Sequence, residues 1–74
     1  MTPPLPAGLS GEDVAKALER AGFQHVSTRG SHAKYRSGDR TVIVPLHRSL
    51  AVGTLRSILR QAGWTADDLA ANLR

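Results

Sequence analysis

Apolar positions along this chain recur with two periods, one near 3.6 and one of 2. Val14, Leu18 and Ala21, with Ala15 and Ala17 beside them, are spaced by helical turns and predict a helix over residues 11–21. Ser10 stands at its N-cap, Asp13 three residues on completes a capping box, and Leu9 and Val14 occupy the two positions of a hydrophobic staple. Gly22 follows where a left-handed residue ends a helix. The period then changes. Phe23 to Arg29 reads as a strand, and Gly30-Ser31 breaks it. His32 to Arg36 alternates, with His32, Lys34 and Arg36 on one face and Ala33 and Tyr35 on the other. Ser37-Gly38-Asp39 is a hairpin turn, and Thr41 to Val44 is a β-branched strand that stops at Pro45. After a loop over 46–51, Gly53-Thr54 opens a second helix with the stripe Leu55, Ile58, Leu59 and Ala62. Gly63 closes it. Thr65 and Asp68 then repeat the capping signature before a short helix bearing Leu69 and Leu73.

The order α-β-β-β-α with a small terminal helix defines an α+β domain. A three-stranded antiparallel meander sets its apolar face under the helices and leaves the other face to solvent. A chain of 74 residues holds one such domain, over 9–74, and the proline-rich stretch 1–8 reads as a flexible N-terminal arm. The core is small, because a domain this size buries only ~60% of the surface its unfolded chain exposes. Without cysteine there is neither a disulfide nor a thiolate ligand. No apolar run approaches a membrane span, and residues 1–8 lack the pattern of a secretory signal, so the expected location is the cytoplasm.

Charge changes the picture more. Ten Lys and Arg oppose six Asp and Glu, for a net +4. The signs are segregated: from Arg20 to Ala66 the chain carries Arg20, Arg29, Lys34, Arg36, Arg40, Arg48, Arg56 and Arg60, against Asp39 alone. A basic middle with a sequence pI near 10.8 is the footprint of a polyanion binder.

RNA is the polyanion for which this chain holds chemistry. Its 2′-hydroxyl is an internal nucleophile, so metal-independent cleavage requires a base, an acid and a cation. An ordinary imidazole, with a pKa of ~6.5, serves the first two tasks. Lys and Arg serve the third. His32 is the candidate catalytic residue and His47, just past the third strand, a candidate second proton carrier. Arg29, Lys34 and Arg36 are candidates for binding RNA phosphates. No metal is expected, because histidines at 25, 32 and 47 match no common ligand spacing, and no cofactor motif occurs. A serine triad does not follow from Ser31 and His32, which as strand neighbours point to opposite faces. With one Phe, one Tyr and one Trp, all suited to the core, backbone recognition outweighs base stacking.

These motifs in order, Gly30-Ser31-His32 with Tyr35, Val44-Pro45-Leu46-His47, and Gly53-Thr54-Leu55-Arg56-Ser57-Ile58-Leu59-Arg60-Gln61-Ala62-Gly63, resemble the HicA toxin family over residues 9–64. The resemblance implies a fold like a double-stranded-RNA-binding domain and an mRNA interferase, a ribonuclease that cuts messenger RNA and halts growth. It implies that His32, in the G-S-H motif, is catalytic. It also implies a HicB-like antitoxin that covers the active site. The stretch Arg48 to Val52 is shorter and poorer in lysine than the family pattern. Two other readings stand beside this one: a non-catalytic RNA-binding module of the same fold, and an interaction protein whose basic face meets an acidic partner.

Overall fold

The computed structural model of the chain describes residues 5–6 and 8–73. Helix α1 spans Gly11–Arg20, strands β1, β2 and β3 span Gln24–Arg29, His32–Ser37 and Arg40–Pro45, and helices α2 and α3 span Val52–Ala62 and Ala66–Asn72. The sheet is antiparallel throughout, in the order β1-β2-β3. This is the α+β meander expected, with two helices and a short third.

Local chemistry starts and stops each helix. At α1 the Ser10 hydroxyl accepts from the Asp13 N–H at 3.0 Å while the Asp13 carboxylate accepts from the Ser10 N–H at 3.2 Å. Thr65 and Asp68 do the same at α3. Gly22 follows α1 at φ 100°, and the Phe23 N–H turns back to the Leu18 carbonyl at 2.9 Å. Gly63 follows α2 at φ 71°, and the Trp64 N–H turns back to the Leu59 carbonyl at 2.9 Å. One closing device, used twice, thus delivers an aromatic ring just past each helix. Phe23 and Trp64 then pack edge to face, 6.1 Å between ring centroids.

The core lies between the helices and one face of the sheet. Val14, Ala17 and Leu18 of α1, Ala33, Tyr35, Val42 and Val44 of the sheet, Leu55 and Ile58 of α2 and Leu69 of α3 are buried together. Each large aliphatic side chain buried there contributes about 1.5–3 kcal/mol. Three details depart from the sequence pattern. Ala21 is exposed at the C-cap of α1, so the buried stripe is Val14, Ala15, Ala17 and Leu18. Leu50 is buried although its segment is a loop, because its N–H donates to the Leu9 carbonyl at 2.7 Å. β1 begins at Gln24, since Phe23 is engaged in closing α1. Of the N-terminal arm, residues 1–4 and 7 lie outside the described residues, and Leu5 packs, half-buried, against the core.

The register of β1 carries an irregularity. His25 pairs with Tyr35, but Ser27 pairs with Lys34, so Val26 is an extra residue bulged out of the ladder and 52% exposed. β3 is regular, from Arg40 opposite Ser37 to Pro45 opposite His32. Its Ile43 N–H donates to the Gln61 Oε1 of α2 at 2.8 Å.

Candidate active site on the open sheet face

His32 is the first residue of β2 and is exposed, between Arg29 of β1 and Pro45 of β3. Strand alternation sets Lys34 and Arg36 on the same face, each about 7 Å further along. Lys34 stands between Ser27 and Ile43, and Arg36 between Gln24 and Thr41. The Arg36 Nε donates to the Gly38 carbonyl at 3.3 Å, which holds that guanidinium near the hairpin.

Arg29 reaches this face through the bulge. Phe23 is buried, and His25 lies opposite the inward Tyr35. With uninterrupted alternation Ser27 and Arg29 would share that inward phase. The extra residue at Val26 reverses it, and Arg29 comes opposite His32.

His47 lies beyond β3 and is brought back to the same end of the sheet. The Leu46 N–H donates to the Ser31 carbonyl at 2.6 Å, and the Gly11 N–H donates to the His47 carbonyl at 2.9 Å. The His32 and His47 rings stand 6.3 Å apart, centroid to centroid, at 74°. The Ser31 Oγ is 3.5 Å from His47 Nε2. Gly11 is indispensable to this approach: a methyl group there would strike the Pro45 carbonyl oxygen and come within 2.8 Å of the Leu46 Cα. Sequence reasoning missed this role. The available signal was a glycine in the first turn of an alanine-rich helix, where it costs up to ~1 kcal/mol relative to alanine.

His25 is not part of this group. It faces the other way, with Nε2 2.6 Å from the Thr28 hydroxyl and its ring edge-on to Tyr35 at 5.4 Å. Burial raises the Tyr35 phenol above its ordinary pKa, with a smaller contribution from Glu19. Phe23 and Tyr35 are buried and Trp64 half-buried, so the open face has no aromatic platform. Among the described residues no three His, Asp or Glu side chains converge on one point.

The molecule is therefore a small α+β domain that presents a histidine and three cations on one uncovered sheet face, with a second histidine at its end. Residues 11–64 match the family described as HicA toxin of bacterial toxin-antitoxin, and the chain belongs to that family. No curated protein matches the chain. Membership makes it the toxin member of a toxin–antitoxin system and implies an antitoxin partner. Among the described residues no helix is long and apolar enough to cross a membrane.

Proposed function

We propose that this toxin is an endoribonuclease that cuts messenger RNA, with His32 moving a proton at the scissile phosphodiester. One imidazole takes the proton of the 2′-hydroxyl as its oxygen attacks phosphorus. The bond from phosphorus to the 5′-oxygen breaks, and an imidazolium protonates that oxygen as it leaves. The products are a 2′,3′-cyclic phosphate and a 5′-hydroxyl, and the step balances without an added metal or cofactor. His32 performs one transfer and His47 the other. Arg29, Lys34 and Arg36 hold the phosphates of the bound strand, and their charge stabilises the phosphorane.

The observation that carries the reading is His32 facing His47, 6.3 Å between ring centroids, beside three exposed cations. A HicB-like antitoxin neutralises the toxin by covering this face, and the reaction runs in the cytoplasm, where messenger RNA is translated.

The test is incubation of purified protein with RNA in EDTA, comparing wild type with His32→Ala. Loss of one proton carrier is expected to slow cleavage by about 10²–10⁴. Equal cleavage by both proteins would remove His32 from the mechanism. RNA bound but left intact by wild type would favour the non-catalytic binding module.

A further inference from the structure

We propose that the cleft beside His47 is a nucleobase subsite, which reads the base next to the scissile phosphate through its exocyclic amine. The inference rests on the ribonuclease reading and adds what selects the cutting position. The cleft opens between the first turn of α1 and the segment after β3. Its volume is about 250 Å³, and Ser10, Glu12, Leu46, His47 and Arg48 line it. That is room for one flat ring system and less than the ~300–1,000 Å³ of clefts that hold larger ligands.

Both walls are fixed before a ligand arrives. The Gly11 N–H holds the His47 carbonyl at 2.9 Å, and the Leu50 N–H holds the Leu9 carbonyl at 2.7 Å. The missing side chain of Gly11 lets the two walls meet at Pro45 and Leu46. Binding therefore has little backbone to order, which keeps its entropic cost low.

The lining suits a base splayed out of a single strand. Leu46, 40% exposed, offers an apolar surface next to His47, and the Arg48 guanidinium is a plane on which a base stacks. The Glu12 carboxylate only accepts hydrogen bonds. Its ion pair with Lys16, at 3.5 Å between exposed side chains, is weak enough to give way. A carboxylate there favours guanine, adenine or cytosine, whose edges carry an amine, over uracil, whose one edge donor, N3–H, is flanked by two carbonyl oxygens that repel it. The open sheet face, lacking an exposed aromatic ring, holds phosphates and leaves base discrimination to this cleft.

The test uses the full chain and short oligonucleotides in which one position alone keeps its 2′-hydroxyl, so the cut site is fixed. The base on either side is varied. At one of the two positions, wild type is expected to cut about tenfold faster in kcat/KM with an amine-bearing base than with uracil. Glu12→Gln, an exposed substitution, is expected to narrow that ratio to about twofold or less. Equal cutting with all four bases at both positions, or an unchanged ratio in Glu12→Gln, overturns the subsite. A second arm measures Kd by fluorescence anisotropy with His32→Ala, where the same discrimination is expected in binding. RNA bound with discrimination but never cut by wild type sinks the nuclease reading and keeps the subsite. RNA cut without discrimination does the reverse, and no RNA binding at all sinks both.

Discussion

The two strands that flank β2 build the candidate site by opposite means. β3 keeps a regular register, buries Val42 and Val44, and hands the chain to a segment pinned at both Ser31 and Gly11. What it contributes, His47, depends on rigid attachment. β1 breaks register at Val26, and that break turns Arg29 toward His32. What it contributes depends on a local fault in the ladder. In the proposed reaction a proton carrier must sit within hydrogen-bond reach of its oxygen, a demand that suits the pinned side. In the same proposal a phosphate ligand acts through charge at longer range, a role that the irregular side would satisfy.

The largest effect that tests this contrast falls on the pinned side. His47→Ala is expected to lower kcat by about 10²–10⁴ if His47 completes the proton relay. KM should change little, since the cations remain. Single-turnover cleavage of a short RNA measures both. A loss carried by KM instead would assign His47 to binding rather than proton transfer.

Deleting Val26 challenges the other strand. Without the extra residue, His25 and Ser27 become neighbours in a regular ladder, and both halves of β1 keep their present partners and faces. The hairpin at Gly30-Ser31 fixes the Arg29–His32 pair locally, and core packing holds Phe23, so neither end of β1 has to yield. Arg29 is expected to stay opposite His32 and Phe23 to stay in the core, with a stability change of about 1 kcal/mol or less. Denaturant midpoints measure it. Val26→Ala, at a half-exposed position, is the control and should be nearly neutral. Unchanged stability with weakened RNA binding would show that the bend of the bulge, beyond the pairing alone, aims Arg29.

The same contrast explains how much was legible beforehand. His32, Lys34 and Arg36 share one strand, and strict alternation put them on one face from sequence alone. The caps were equally local, Ser10 with Asp13 and Thr65 with Asp68, and the structure has both. Arg29 joined the site for a reason no residue advertised: Gln24-His25-Val26-Ser27-Thr28 contains no glycine to mark a bulge. The approach of His47 to His32 was open for a different reason. It depends on Gly11, far away in the chain, coming close enough to Pro45 for a methyl group to clash. Periodicity reports which face a residue takes, and it is silent on contacts between distant backbones.

Smaller effects separate the cations. Removing one phosphate contact is expected to weaken RNA binding across sequences and to reduce the slope of log K against log salt by about 0.7, the single-strand value. Arg29→Ala, Lys34→Ala and Arg36→Ala should each do so. Arg29→Ala should also lower kcat the most, because Arg29 stands directly opposite His32. Salt titrations of binding, run beside cleavage rates, measure the two quantities. Equal kcat in all three variants would mean that the bulge serves binding alone.

The smallest expected effect concerns the anchor of the pinned side. Gly11, which holds the His47 carbonyl, is the first residue of a helix whose N-terminus depends on the Ser10–Asp13 box. The Ser10 backbone N–H, then the Ser10 side chain, hold the Asp13 carboxyl below its ordinary 3.8. A carboxyl lowered on folding stabilises the fold above its unfolded pKa, and the contribution disappears as pH falls through the folded value. Asp13→Asn should therefore lower Tm slightly at pH 7 and leave it unchanged at a pH below the folded pKa. Asp13 is fully exposed, so solvent screening keeps the difference small. If cleavage by Asp13→Asn fell further than its Tm change explains, while Thr65→Ala at the α3 cap had no such effect, the first turn of α1 would be acting on His47 itself and not only on the stability of the fold.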